Sequence, residues 1–283
     1  MTSVVVTGYA SLDYAVRLDR APEADRTATI LSRSREWPRL GGSPAYIASA
    51  LIAGGVSDAT PISWVGDDAD SRQYRDCLRR RGVRTDGIAV RPGRTPVCIL
   101  AYQPDGGCHC LYHPGLAGPL TLDAHQQELV LGARWVCLTV GPAKATRQAL
   151  SMARPDAQLV WAVKADTRAV PADLAAAIAA RADLVACSRG EAAFVAEAFK
   201  AARPSTRRRM LVETRGRDGV AVTLEGREEV RPVEPCSTED STGAGDTLLG
   251  ALIAALIAGI ERPGDAVDAG IKAARAMLAA RSQ

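Results

Sequence analysis

Asp240-Ser241-Thr242-Gly243-Ala244-Gly245-Asp246 is a glycine-rich turn that runs straight into the apolar stretch 247–258. Glycine at 243 and 245 lets the backbone turn sharply and lets a ligand approach it closely. The helix that follows must leave its first amides without intrahelical acceptors. Together with the helix dipole, those amides form an anion site. Asp246 falls in the first turn of that helix, at the mouth of the site. An anion hole and a carboxylate in one turn suit chemistry that moves negative charge next to a hydroxyl. The dipole favours the ionised carboxylate at neutral pH, which makes Asp246 a weak base. Taken without its wider sequence, the turn also reads as a loop ending in a capped core helix.

The whole seven-residue string resembles the C-terminal signature of the PfkB family of sugar and nucleoside kinases, the ribokinase-like group. The resemblance implies that Asp246 takes the proton from the substrate hydroxyl and that the amides of Gly243, Ala244 and Gly245 hold the transferring phosphoryl group. Such transfer depends on positioning and charge stabilisation. The spacing from Gly8 to Asp13 matches the family's early Gly-x-x-x-x-Asp, which implies that Asp13 binds sugar hydroxyls. Leu40-Gly41-Gly42-Ser43-Pro44-Ala45-Tyr46 resembles its N-terminal signature, with Gly41 and Gly42 offering backbone to the sugar. Tyr46 stands where the family usually has Asn, adding an aromatic ring to the substrate pocket. Gly66-Asp67-Asp68-Ala69-Asp70-Ser71 resembles the family's Gly-x-Asp-x-x-Gly turn, with Ser71 in place of the last Gly.

Ser188-Arg189-Gly190-Glu191 resembles the Asn-x-x-Glu motif. Glu191 would then organise Mg²⁺ and phosphate through water, while Ser188 replaces the Asn. Ser188 and Glu191 also read as a helix cap and its capping box. Thr214-x-Gly216-x-x-Gly219 resembles a segment that lies against the nucleotide, and reads equally as a hairpin turn. Family members often bind K⁺ beside the C-terminal signature, which would make Asp240 and Thr242 local ligands.

These residues need a scaffold that brings distant segments together. Stretches 3–8, 61–66, 135–140, 159–163, 184–187 and 210–214 read as buried strands. Helical patterns near 143–153, 171–181, 189–202 and 264–281 alternate with them. This is the rhythm of an α/β fold with a mostly parallel sheet flanked by helices. Ligands are expected at the carboxyl ends of its strands. Segments 14–36 and 94–114 are too polar and turn-rich for that sheet. They predict a small β-sheet lid inserted into a single ribokinase-like domain spanning 1–283. The family's lid closes over the sugar and expels water. Its exposed strand edges would allow a homodimer.

Composition narrows the function. The chain of 283 residues is 47% hydrophobic, enough for a sizeable core, and 35 Lys+Arg stand against 32 Asp+Glu. A net charge of +3 gives no case for a nucleic-acid partner. The N-terminus lacks the pattern of a secretory signal, the apolar run 248–260 is too short to span a bilayer, and seven scattered Cys suit reduced thiols in a cytoplasmic protein. Cys108-His109-Cys110 and His113 could suggest zinc. With no second ligand pair at finger spacing, a hairpin strand with buried thiols is the preferred reading. There is no Gly-x-x-x-x-Gly-Lys loop, and Leu248 stands where a dinucleotide fingerprint needs its third Gly.

The reading is an ATP- and Mg²⁺-dependent kinase acting on a primary hydroxyl of a small sugar. A nucleoside kinase of the same family is the alternative, since eight of the twelve aromatics precede residue 113, where a base could stack. A silent ligand-binding relative and a NAD-binding oxidoreductase rank below both.

Overall fold

The computed structural model describes residues 2–204, 207–234 and 240–281, so Cys236 lies outside the described residues. The chain opens with β1 (Val4–Thr7), β2 (Ser11–Leu18), β3 (Ile30–Arg33), β4 (Arg39–Gly41) and α1 (Ser43–Ala53). Next come β5 (Ala59–Val65), α2 (Ala69–Arg80), β6 (Ile88–Val90), β7 (Val97–Tyr102) and β8 (Cys108–His113). Strict alternation follows: α3 (Ala124–Gly132), β9 (Trp135–Leu138), α4 (Ala143–Met152), β10 (Gln158–Ala162), α5 (Ala172–Arg181), β11 (Leu184–Ser188), α6 (Ala192–Ala201) and β12 (Met210–Thr214). The hairpin β13 (Val220–Leu224) and β14 (Arg227–Arg231) precedes α7 (Ala244–Ile257) and α8 (Pro263–Arg281).

Among the described residues the large sheet runs β14-β13-β12-β11-β10-β9-β1-β5-β6. From β12 to β6 every neighbouring pair is parallel. The strands at its centre are buried on both faces, as the apolar runs of β1 and β5 require. One core, built on Leu138, Trp161, Leu174 and Ile178, lies under α3 to α6. The opposite core, with Val6, Ile47, Val160, Leu252 and Ile253, lies under α1, α7 and α8. Helix α7 is apolar on most of its surface because it packs between α1 and α8. The antiparallel β13 and β14 extend the sheet at one edge. Arg227-Glu228-Glu229-Val230-Arg231 is too polar to announce a strand by burial pattern; its ladder to β13 makes it one.

A second sheet has the order β3-β2-β7-β8, with β4 paired to β2. It draws on both segments 14–36 and 94–114, and also takes residues 11–13 and 39–41. Strand β2 pairs parallel with β7 and antiparallel with β4, so Asp13 lies opposite both Cys98 and Arg39. The expectation of buried thiols in β8 fails: every residue of that strand is exposed, Cys108 and Cys110 included. Strand β8 is the edge of this sheet, paired only to β7 among the described residues. The Cys98 and Cys110 sulfurs lie 3.2 Å apart on neighbouring strands.

Candidate active site

Gly243 begins α7 in the left-handed region, at φ 79°. A Cβ there would also meet the Tyr46 ring at 2.8 Å, so both backbone and packing require glycine. The Ala244 N–H donates to the Ser241 carbonyl at 3.0 Å, closing the turn. Thr247 N–H makes the first bond of α7, to the Gly243 carbonyl at 2.8 Å. By helix geometry the donors facing an incoming anion are therefore the amides of Gly245 and Asp246. This departs from the expectation for Ala244, whose N–H the turn itself uses. The space above Gly245 is open to within 4 Å.

Asp246 lies in the first turn of α7 beside α1 and β10. Burial pushes its carboxyl up to about 6, and nearby Glu191 adds to the rise. A Ser43 hydrogen bond and the charge of Lys164 pull the other way. The helix dipole favours the anion, but loss of water around the carboxylate outweighs it. Asp246 is thus still mostly ionised at pH 7, yet a stronger base than an ordinary carboxylate. Sequence reasoning missed Ser43 and Lys164. Ser43 follows Gly41-Gly42 directly, and Lys164 follows β10 at its carboxyl end, where ligands are expected.

A polar cluster sits beside this turn. Asp13 is 4% exposed and accepts the Ser11 hydroxyl at 2.6 Å. Burial raises its pKa; the Ser11 hydrogen bond and the charge of Arg39 lower it. Its carboxyl and Ser11 cover the Cα of Gly41, where any side chain would collide with them. Gly41 therefore makes room for Asp13, while Gly42 forms the N-cap of α1. Tyr46 differs from the expectation of a pocket wall. It is buried, its ring packs under Gly243, and its hydroxyl accepts Arg281 Nη2 at 3.2 Å. The Asn-to-Tyr change thus supports the turn from below.

Asp240 is gripped from the second sheet. The guanidinium of Arg39, on β4, forks onto its two oxygens, and the Tyr102 hydroxyl, on β7, donates to the same carboxylate. Tyr102 also meets the Thr242 hydroxyl. Burial would raise the Asp240 carboxyl, but the hydrogen bonds from Arg39 and Tyr102 hold it below the usual range. At the last turn of α8, Arg281 Nη1 donates to the Thr242 carbonyl at 2.5 Å and reaches the Asp240 carbonyl at 3.5 Å. Arg39, Tyr102 and Arg281 carried no signal in the sequence. Arg39 and Tyr102 lie 201 and 138 residues from Asp240, and only folding brings them to it.

The remaining candidates lie at the carboxyl ends of β11 and β12, where Ser188 and Thr214 are register partners. The Ser188 N–H and hydroxyl both donate to Glu191 Oε2 at 2.8 Å, a complete capping box. Glu191 Oε1 lies 3.8 Å from Lys164 Nζ, between this motif and Asp246. Gly216 opens a short 3-10 turn and Gly219 ends it, joining β12 to β13 as a hairpin connection. Asp218 of that turn pairs with Arg189 at 2.8 Å, tying the two motifs along one rim. No cluster of three or more His, Cys, Asp or Glu suited to a metal ion is found among the described residues.

A cavity of about 260 Å³ is lined by residues that include Tyr9 after β1, Trp64 on β5, Tyr112 on β8 and Lys144 in the first turn of α4. The Tyr9 and Tyr112 rings are 5.7 Å apart between centroids.

The sequence matches the pfkB family of carbohydrate kinases over residues 1–282. It is 30% identical over 258 residues to an ATP-dependent ribose-1-phosphate kinase of Halopiger xanaduensis, covering 90% of this chain and 84% of that one. The fold is that of a Cryptococcus neoformans ribokinase solved with ADP: TM-score 0.80, 19% identity, covering 98% of this chain and 94% of that one. It is also that of a Burkholderia thailandensis nucleoside kinase solved with inosine: TM-score 0.78, 17% identity, covering 98% and 91%. The chain belongs to the PfkB family of carbohydrate kinases. It is a phosphotransferase with an alcohol group as acceptor, on a ribokinase-like fold.

Proposed function

We propose that this chain transfers the γ-phosphoryl group of ATP to a primary hydroxyl of a small sugar, with Asp246 as the base. The observation that carries this is the carboxylate poised near pKa 6 in the first turn of α7, beside the Gly245 and Asp246 amides. The hydroxyl donates its hydrogen bond to Asp246 as its oxygen bonds to the γ-phosphorus and the bond from that phosphorus to the β–γ bridging oxygen breaks, with ADP as the leaving group. Charge building on the phosphoryl oxygens meets the α7 N-terminus and Lys164. The proton ends on Asp246, whose raised pKa improves it as acceptor. Asp13 and Gly42 flank the sugar, and the second sheet acts as a lid that excludes water from the reacting phosphate.

The nucleotide lies along the rim of Ser188, Thr214, Gly216 and Gly219. Mg²⁺ arrives with ATP and supplies charge neutralisation. Glu191 is the carboxylate placed to hold it through water, with one oxygen spent on the Ser188 cap and the other turned towards Lys164. Asp240 and Thr242 do not fit K⁺ in the same way, because Arg39, Tyr102 and Arg281 already donate to their oxygens.

Similarity to a ribose-1-phosphate kinase supports a phosphorylated pentose as the first substrate to try, and Lys144 on the cavity wall offers a cation for its phosphate. The Tyr9 and Tyr112 rings in the same cavity favour a nucleoside as the second. ADP release from ATP and Mg²⁺ with ribose 1-phosphate, ribose and inosine separates the two. Turnover on a pentose or its phosphate supports the first reading, turnover on inosine alone moves the assignment to the second, and turnover on none opposes both. The lid also exposes an apolar face on which Ile99 and Leu111 lie opposite each other; it serves as the contact of a homodimer.

A further inference from the structure

The turn that leads into the phosphoryl site is closed by two guanidinium groups. Arg39 forks onto the Asp240 carboxylate, and Arg281 Nη1 takes the Thr242 carbonyl at 2.5 Å. The same Nη1 lies 3.5 Å from the Asp240 carbonyl and 3.6 Å from its Oδ1. These three oxygens converge on one point, and an arginine nitrogen stands at it. The Arg281 guanidinium is held there from the other side by Tyr46, through the hydroxyl at 3.2 Å and the ring face at 5.6 Å. Tyr46 in turn packs under Gly243. The charges acting on Asp13 here are Arg39 and Arg281 on one side and Asp240 on the other. Among the described residues, two guanidinium groups thus face two carboxylates, and their charges balance. Backbone carbonyls and a carboxylate gathered on one cation are what a monovalent metal site offers, and here the cation is covalently attached.

We infer that Arg281 is a built-in substitute for a monovalent cation, a positioning residue that holds Asp240 to Gly243 in shape so that phosphoryl transfer needs no K⁺. Arg281 touches neither the hydroxyl nor the phosphate; it acts through the turn. The inference rests on reading residues 243–246 as the phosphoryl site, but its central claim concerns the cation and is measurable without turnover. A K⁺ ion added here would face two fixed positive charges and find its oxygens occupied by N–H donors.

The test has two arms. Thermal unfolding of the full chain is followed in KCl, NaCl and tetramethylammonium chloride at one ionic strength. The same midpoint in all three is expected, and a rise specific to K⁺ overturns the inference even if no substrate has been found. On a turned-over substrate, kcat should agree within about twofold across the three salts, whereas a tenfold drop without K⁺ overturns it. Arg281→Ala should lose kcat by tenfold or more in tetramethylammonium chloride, with millimolar free guanidinium or K⁺ restoring part of it. It should also gain a K⁺-specific rise in unfolding temperature. No loss, or a loss that neither cation reverses, overturns the assigned role. If Arg281→Ala does not fold, Arg281→Lys keeps the charge and should remain indifferent to K⁺; K⁺ activation of that variant counts against the inference.

Discussion

At the scale of single residues the proposed transfer turns on Asp246. Its position was legible in the sequence, because Gly243-Ala244-Gly245-Asp246 is a local string and the helix after it is apolar. Its pKa was not, because desolvation depends on what α1 and β10 place around it. The folded pKa of about 6 lies above the ordinary value of 3.8. Protonation therefore stabilises the folded state fully below pH about 4, and that gain is lost as pH rises through about 6. At pH 7 the partly buried carboxylate works against folding. Asp246→Asn should accordingly raise the unfolding free energy by about 1–3 kcal/mol at pH 7, with the difference shrinking towards pH 4. Urea unfolding at the two pH values checks this; a destabilised variant at pH 7 counts against it. With Asp246 as the proposed base, the same pKa sets the acid limb of catalysis. The rate kcat/KM should be half-maximal near pH 6 and fall about tenfold per unit below pH 5. A flat profile from pH 5 to 8 would show that another group takes the proton.

Elements carry the polar cluster. Strand β4 supplies Arg39, β7 supplies Tyr102, α8 supplies Arg281, and all three meet on the turn before α7. Sequence patterning located the strands of the large sheet well, because buried parallel strands are continuous apolar runs. It missed β14, where pairing and not burial makes the strand, it left the buried β13 unassigned beyond a hairpin turn at 214–219, and it placed the β8 thiols inside although they lie on an exposed surface. It had no access to the arginines, since side-chain pairing across 39 to 201 residues has no local signature. The pair Arg39–Asp240 gives an element-scale prediction. Arg39 is nearly inaccessible to solvent, and removing one partner of a buried pair costs about 3–5 kcal/mol. Arg39→Ala should lower the unfolding free energy by that amount. Asp240→Asn in the same background should cost little more, because the two groups act as one unit. Additive losses in chemical denaturation would mean that the ion pair is not the link between the second sheet and the turn.

For the whole molecule, the two sheets divide the work. The large parallel sheet gathers Lys164, Glu191, Thr214 and the α7 turn along the carboxyl ends of its strands and the segments beside them, and the small one covers the Asp13 side. Its outer face leaves Leu111 61% exposed, with Ile99 directly opposite on β7. Leu111→Lys should shift a dimer towards monomer in light scattering while leaving the fold intact; an unchanged mass would place any self-association elsewhere. The measurement that bears most directly on the central claim is ADP formation by wild type and Asp246→Asn, side by side, with ATP, Mg²⁺ and the best acceptor of the pentose and nucleoside panel. Loss of roughly 10²–10⁴-fold in kcat with unchanged ATP binding is the outcome predicted for a positioned base. Turnover within a few-fold of wild type in Asp246→Asn would contradict it, and would leave the carboxylate at the mouth of α7 without the role assigned to it.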